Sequence, residues 1–286
     1  MTAEKEKQIL KAIDDRELAQ GGLPPALVFY RQLLRLQYEA SSRIETPILS
    51  FGKQNVKDKL RKGQPLLDFC DIPIEWTLFH DLFERTCSIL SSQSGFEGEI
   101  PQSLKEPEAL RALAESWYQG EPSNPDENGP GVVTLALQAS LKPFLSASGN
   151  ALLKSFNQEH WLRHYCPVCG GNADFAFLDK DRGARYLVCS RCDSEWLYKR
   201  IECPNCGNED QNTLAYFTDN TGLYRLYVCE KCKDYLKAID LRCSGSPVLI
   251  PFERYITLDL DIQARREGYT AQMNGKVYRK TAAGSR

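Results

Sequence analysis

The sequence predicts an α+β protein: an N-terminal all-α helical domain, then two tandem four-cysteine modules and a C-terminal helix. Apolar residues recur at helical spacing through the first half, and short segments rich in valine, tyrosine, phenylalanine and leucine follow. Nine of the eleven cysteines lie in the second half, eight of them in CxxC pairs. The predicted limits are 1–160 for the helical domain, 161–200 and 201–245 for the modules, and 246–286 for the C-terminal helix and tail.

The N-terminal half is predicted to be helical because its apolar residues share helix faces. A first face follows Pro24-Pro25, a dipeptide that suits the first turn of a helix. A later helix is predicted to begin near Pro73, and another, after a Pro- and Gly-rich loop at 120–131, to be kinked or stopped near Pro143. The predicted inward residues are Leu27, Tyr30, Leu34 and Tyr38, then Leu78, Leu82, Ile89 and Leu90, then Leu110, Leu113 and Trp117.

Isolated reactive residues in this half do not predict a site. Cys70 and Cys87 are predicted to be small buried hydrophobic residues. His80 is predicted to be a core or surface residue, because no second ligand stands at a metal-binding spacing. The chain also shows no Ser/His/Asp set and no phosphate-binding glycine loop, which argues against an enzyme.

Composition points to a protein of the cytoplasm. The formal net charge of −2 lacks the basic excess of a sequence-independent nucleic-acid binder. No apolar run approaches the roughly 20 residues that span a bilayer, and the N-terminus MTAEKEKQIL lacks the apolar core of a secretion signal. Cytosolic thiols are kept reduced, so the cysteines are expected to be ligands rather than disulfides.

The cysteine spacing is the most specific feature of the sequence. A two-residue spacing lets one tight turn, or knuckle, direct two thiolates at one ion. Glycine after the second cysteine, as at Gly170 and Gly207, permits a backbone that other residues resist. Two knuckles brought together by hairpins would form the four-sulfur shell of a rubredoxin-like or zinc-ribbon site, which accepts iron or zinc and leaves no open position for hydrolysis.

An internal repeat predicts how the knuckles combine. CPVCG at 166–170 matches CPNCG at 203–207, and RYLVCSRC at 185–192 matches RLYVCEKC at 225–232. Duplication favours two tandem sites, whereas an alternative joins the two inner pairs and nests the outer ones. The predicted metal ligands are Cys166, Cys169, Cys189 and Cys192 in the first site and Cys203, Cys206, Cys229 and Cys232 in the second.

Three further residues near the CxxC pairs are not predicted to be metal ligands. Cys243 follows Cys232 at the same spacing at which Cys203 follows Cys192, but Ser246 stands where the second cysteine of a CxxC pair would be. This pattern is typical of a decayed third motif. His160 and His164 precede the first knuckle, yet the four-cysteine shells are complete without them.

Beyond the cysteines, the order of motifs resembles the FdhE family of formate dehydrogenase accessory proteins. That family has a CPVCG knuckle, a C-x-x-C-x-x-E-W segment, an R-x-x-C-x-x-C-G knuckle and a C-x-x-C-x-x-Y-L-K segment in this order. TLDLDIQARREGY is similar to the family's closing helix, although PFERYITLDLD replaces the acidic pair often found before it. The four motifs occupy residues 166–170, 189–196, 200–207 and 229–237.

The resemblance implies a cytoplasmic, metal-binding chaperone or adaptor that is needed for the maturation of formate dehydrogenase and binds its catalytic subunit. It also implies rubredoxin-type iron in both four-cysteine sites, with zinc as the alternative. Two other functions fit the modules: one-electron transfer by rubredoxin-like iron, and nucleic-acid binding by zinc ribbons, which the overall charge disfavours.

Basic and aromatic residues around the first module form a candidate surface for binding the partner. In the alternative interpretation, Trp196 packs beneath a knuckle and the charges only solvate the surface. The candidate residues are Arg182, Arg185, Arg191, Lys199 and Arg200, with Trp196 and Tyr198 beside them.

Overall fold

The computed structural model describes residues 3–47, 49, 52–92, 101–120, 131–153 and 161–271. Within this part, the chain forms two compact units. The first holds the described residues up to 49 and 67–152, and the second holds 52–66 and those from 153 onward. The predicted α+β class, with helices first and a cysteine-bearing sheet second, is confirmed. The four predicted domain limits stay predictions.

Eight α-helices are described, and six precede the sheet. None is long and apolar enough to cross a membrane. They are α1 (Ala3–Gln20), α2 (Pro25–Arg43), α3 (Lys53–Arg61), α4 (Trp76–Ser91), α5 (Pro107–Gln119), α6 (Val132–Leu152), α7 (Ile250–Ile256) and α8 (Leu258–Arg266).

Helix ends in the first unit follow from local capping. Helix α2 begins at Pro25, as predicted. Helix α4 begins shortly after Pro73, where the Glu75 carboxylate accepts hydrogen bonds from the amides of Thr77 at 3.0 Å and Leu78 at 2.7 Å. The hydrogen bond from the Leu78 amide is the main reason that the pKa of Glu75 is lowered.

The core of the first unit contains most of the predicted inward residues. Helices α2, α4 and α6 pack against one another, with Phe79 of α4 edge-on to Phe144 of α6 at 6.4 Å between ring centroids. Tyr38, Ile89 and Leu113 are only half-buried. The predicted residues found in the core are Leu27, Tyr30, Leu34, Leu78, Leu82, Leu90, Leu110 and Trp117.

The sequence predicted that Pro143 would kink or stop this helix; α6 continues through Pro143, so the prediction of a stop is wrong. Proline has no amide hydrogen, and the carbonyl four residues earlier, that of Ala139, therefore loses its helical donor. The side chain of Gln37 on α2 supplies the missing hydrogen bond, with Nε2 at 2.9 Å from that oxygen. Gln37 is buried, so no solvent is needed to satisfy the freed carbonyl.

The isolated residues of this unit behave differently from one another. Cys87 is fully buried as predicted, and burial raises its pKa to about 12. The prediction of a buried Cys70 is wrong: it is exposed in a short 3₁₀ turn. His80 is half-buried, with Nε2 at 3.2 Å from the carbonyl oxygen of Lys105.

The second unit is built on one seven-stranded sheet. Each predicted module contributes a three-stranded antiparallel meander, and the two meanders join through the parallel pair β1–β6 in the order β3-β2-β1-β6-β5-β4. The short β7 pairs with β6. The strands are β1 (Ala173–Leu178), β2 (Arg185–Cys189), β3 (Glu195–Tyr198), β4 (Leu214–Thr218), β5 (Tyr224–Cys229), β6 (Asp234–Asp240) and β7 (Thr270–Ala271).

Helical segments cover parts of this sheet. Ala264 of α8 packs with Leu226 and Tyr235 on strands β5 and β6. The turn after α3 is joined to the first knuckle, because the Leu66 amide donates to the carbonyl oxygen of Pro167 at 2.9 Å. Residues 52–66 therefore pack with the cysteine-rich unit, a contact that no periodic pattern in the sequence indicates.

Candidate metal centres

The first predicted ligand set forms one compact cluster. Cys166 and Cys169 lie in the turn before β1, Cys189 ends β2, and Cys192 lies in the turn to β3. The Sγ atoms of Cys166 and Cys192 are 3.6 Å apart, and that of Cys169 is 3.5 Å from those of both Cys189 and Cys192.

The second set repeats this geometry. Its Sγ–Sγ separations are 3.6 Å between Cys203 and Cys232 and 3.7 Å between Cys206 and Cys229. In each cluster the four ligand atoms lie within 4.8 Å of one another. The structure thus brings the cysteines together in the tandem pairing rather than the nested one. That they bind a metal stays a prediction.

The donor set fits a tetrahedral ion. Four sulfurs at about 2.3 Å from a central ion are about 3.8 Å apart, close to the separations found here. A disulfide would require about 2.05 Å. Burial raises the pKa of Cys166 and Cys169 well above the ordinary thiol value and that of Cys203 to about 11, whereas hydrogen bonds from neighbouring groups outweigh burial and lower the pKa of Cys192 and of Cys229. Four thiolates this close together would repel one another, and an iron or zinc ion between them would offset that charge.

All four knuckles use the same backbone turn. The residue after the second cysteine has a positive φ, and its amide donates to the carbonyl oxygen of the first cysteine at 2.8–3.2 Å. Glycine occupies this position in the first knuckle of each module, as the sequence predicted. Asp193 (φ +55°) and Lys233 (φ +59°) occupy it in the second knuckles, where a side chain is less easily accommodated.

A buried ion pair explains the aspartate at this position. Asp193 Oδ1 accepts a hydrogen bond from Arg254 Nη1 of α7 at 2.6 Å, and both side chains are at most 5% exposed. The same guanidinium contacts Asp174 at 2.9 Å and the carbonyl oxygen of Cys189 at 3.4 Å. Helix α7 is thereby fastened to the first cluster. Sequence analysis missed this contact, because nothing in the spacing links residues 61 positions apart.

The two clusters differ in accessibility. All four cysteines of the first are buried, none more than 3% exposed. In the second, Cys206 is exposed and Cys232 is half-buried. The greater exposure of these two residues makes the second centre the more accessible one to solvent, chelators and partner molecules.

The prediction of a partner-binding surface on the first module is largely wrong. Arg185, Arg191, Trp196 and Tyr198 are buried, which leaves only the other three candidate cations exposed. Trp196 is fully buried, and its Nε1 donates to the carbonyl oxygen of Arg163 at 2.9 Å, which favours the packing interpretation.

Of the three residues near the CxxC pairs, the two that the structure describes, His164 and Cys243, join neither cluster. Cys243 is exposed and outside both cysteine groups. His164 packs edge-on against the Tyr165 ring, with ring centroids 5.1 Å apart. His160 lies outside the described residues.

Together, the fold and the cysteine geometry define a helical protein that carries paired, zinc-ribbon-like four-cysteine modules able to hold metal ions. A family model described as "FdhE, central domain" matches residues 165–200, which contain all four cysteines of the first cluster. A protein FdhE homolog of Aquifex aeolicus is 31% identical over 250 residues, covering 85% of this chain and 84% of the relative. One from Shewanella oneidensis is 30% identical over 169 residues, 58% of this chain and 54% of the relative.

The fold is also found in a solved structure. The crystal structure of the FdhE protein from Pseudomonas aeruginosa matches with a TM-score of 0.57 at 21% sequence identity, covering 95% of this chain and 93% of that one. The chain belongs to the FdhE family.

Proposed function

We propose that this chain is a metal-binding accessory protein that binds the catalytic subunit of formate dehydrogenase during its maturation. Two findings support the proposal: membership of the FdhE family, and two four-sulfur clusters of tetrahedral size. The resemblance of the ordered motifs supplies the link to formate dehydrogenase. It also supplies the proposed location in the cytoplasm.

The proposed cofactor is one rubredoxin-type iron in each cluster, with zinc as the alternative. Iron would supply one-electron chemistry and zinc would act as a structural clamp. In either case eight cysteines hold the ions, and each four-thiolate shell leaves no position for a substrate or water. Closed coordination argues against hydrolysis at the metal ions and supports an accessory role rather than an enzymatic one.

Metal content tests the cofactor assignment. The protein is purified without oxygen or added metal, and iron and zinc per chain are measured with the visible spectrum before and after dithionite. We expect two ions per wild-type chain and one in Cys169→Ser or Cys206→Ser. Cys243→Ser is the matched control and should retain both, since Cys243 lies outside the clusters. Wild-type protein without stoichiometric metal would contradict the assignment.

Partner capture tests the accessory role separately. A tagged full-length chain is used to isolate the catalytic subunit from cells that express formate dehydrogenase. Formate dehydrogenase activity is then compared with that of cells lacking the chain. We expect capture, and loss of activity that the wild-type chain restores. Full activity without the chain would contradict the proposal even if both metals are present.

Electron transfer is a second candidate, favoured by the exposure of Cys206 in the second cluster. A reducible thiolate-to-iron band that a client enzyme reoxidises would support it. An all-zinc protein would exclude it.

A further inference from the structure

Strand β4 forms one edge of the sheet in the second unit, and its open side is exposed. It pairs antiparallel with β5 from Leu214, opposite Cys229, to Thr218, opposite Arg225. In the described part of the chain, no strand lies on its other side. Every residue from Ala215 to Thr218 is exposed, and Leu214 is half-buried. A sheet edge of this kind can accept a further strand.

The outward backbone groups of β4 follow from its hydrogen bonds to β5. Next to the two ends of the strand, the Glu230 amide donates to the carbonyl oxygen of Thr213 at 2.9 Å, and the Asp219 amide donates to that of Tyr224 at 3.4 Å. Hydrogen-bonded and non-hydrogen-bonded pairs alternate along an antiparallel ladder, so the two odd-numbered residues of β4 also bond to β5. The amides and carbonyls of the three even-numbered residues therefore point to the open side.

Both faces of this edge present an aromatic ring. Tyr216 is 51% exposed and packs on Tyr227, its partner on β5, with ring centroids 5.6 Å apart. Phe217 is 47% exposed and lies opposite Leu226, which belongs to an apolar cluster with Ala264 of α8. Successive side chains of a strand point to opposite faces of the sheet. An added strand would therefore cover exposed apolar surface on both faces.

Strand β4 lacks the features that usually protect a sheet edge. Natural edges carry charged residues, proline or a bulge, or are covered by other segments. The five residues of β4 include no charged residue and no proline, and their register with β5 is continuous. Strand β3, at the opposite edge, is shorter, carries Glu195 and has Trp196 and Tyr198 buried. Strand β4 is therefore the edge of this sheet that is suited to a partner.

The open side of β4 is complementary to a second copy of itself. Its three outward residues have Tyr216 in the middle, so two β4 strands that run antiparallel about Tyr216 would satisfy the outward backbone groups of both. In this register Leu214 lies opposite Thr218 of the second copy. Ala215 lies opposite Phe217 of the second copy, which places a small side chain beside a large ring on the same face of the sheet.

The acidic residues beyond the strand ends do not oppose this pairing. In the same register Asp219 faces Thr213 of the second copy, and Asp210 faces Gly222. Like charges are destabilising when they stand directly opposite each other. No acidic residue faces another here, and Asp219 is separated from Asp210 of the second copy by three residues, or about 10 Å along the strand.

The second four-cysteine cluster is also compatible with the pairing. Cys229 lies opposite Leu214, so the cluster adjoins this end of β4. An antiparallel pair places the Leu214 end of one strand beside the Thr218 end of the other. The two clusters, and the charge of their thiolates, therefore lie at opposite ends of the contact.

We propose that β4 is the contact surface of a homodimer, in which two copies pair edge to edge about Tyr216 and their sheets continue into one. A pair of five-residue strands is smaller than the standard interface of about 1,600 Å², so we expect a weak dimer that forms at micromolar concentrations. The inference goes beyond the proposed accessory role and depends on neither the metal nor the client.

Sedimentation velocity of the metal-loaded, full-length protein tests the dimer. We expect monomer at about 1 µM and dimer at about 200 µM. Tyr216→Pro should raise the dissociation constant about tenfold or more, because proline removes the central outward amide without removing a hydrogen bond to β5. Tyr216→Thr keeps this amide and is the matched control, with a change of about threefold or less. A wild-type protein that stays monomeric, or equal effects of the two variants, would overturn the proposal.

Cross-linking tests the register without proline. The background is Cys70→Ser with Cys243→Ser, which removes the exposed cysteines outside the clusters. Ala215→Cys protein mixed with Phe217→Cys protein should form a disulfide-linked dimer with oxidised glutathione, because only directly opposite residues come within disulfide reach. Either protein alone should remain unlinked. A mixture that does not cross-link, or a single variant that cross-links with itself, would overturn the pairing about Tyr216.

Discussion

The buried ion pair between Asp193 and Arg254 is predicted to decide the metal affinity of the first cluster. Asp193→Asn keeps the size of the side chain and tolerates the positive φ, so it removes little except the charge. Breaking a buried pair costs about 3–5 kcal/mol when the remaining charge has no partner. Asp174 stays within 2.9 Å of Arg254 but is 42% exposed, so we expect about 2 kcal/mol.

Lys233→Asn is the matched control in the second module, because Lys233 occupies the same turn position with a similar φ. Its side chain is 57% exposed, pairs with Glu230 and lies over the Tyr269 ring at 5.6 Å. Such exposed contacts contribute about 0–1 kcal/mol. Its substitution should therefore change stability little.

Competition with a chromophoric chelator measures the consequence. Folding of each module and its metal affinity are coupled, so about 2 kcal/mol corresponds to an affinity about 30-fold lower at the first centre of Asp193→Asn. The second centre should stay unchanged, and neither centre should weaken by more than about threefold to fivefold in Lys233→Asn. Equal losses in the two variants would refute the ion-pair reasoning and leave only the turn conformation as the cause.

Three other predictions follow from the structure. Gln37→Met should destabilise the first unit by about 1–3 kcal/mol, because it leaves the Ala139 carbonyl without a hydrogen bond. In a Pro143→Ala background the loss should be much smaller, since alanine restores the helical donor. Additive effects of the two substitutions in denaturant unfolding would contradict this. Chelators should remove metal from the second centre first, and alkylation followed by mass spectrometry should modify exposed Cys206 before any cysteine of the first cluster; simultaneous modification would contradict it. Glu75→Ala should destabilise α4 at neutral pH. Because the folded pKa of Glu75 is lowered, its stabilisation is present above the unfolded value of about 4.3 and lost as pH falls below it, so the deficit should shrink in acid; a constant deficit would argue against the charge.

The sequence by itself determined the parts that depend on local chemistry. Composition, spacing, repeat and glycine positions were sufficient to predict short hairpin strands, the four knuckles and the tandem grouping of eight cysteines, because each knuckle is a turn of a few residues. The joining of the two meanders into one sheet was not predicted. The helix starts near Pro25 and Trp76 could also be predicted from the sequence, since capping acts within one turn.

Only the tertiary structure decided which residues far apart in sequence satisfy one another. Gln37 allows α6 to pass Pro143, Arg254 fastens α7 to the first cluster, and Arg185 of β2 reaches the ring of Tyr227 on β5. Two strands separate β2 from β5 in the sheet order, so strand pairing alone does not predict this contact. Four residues of the predicted contact surface are likewise buried in the tertiary structure. A local pattern records what a residue is, whereas the partner that makes its burial favourable is set by the packing of distant segments.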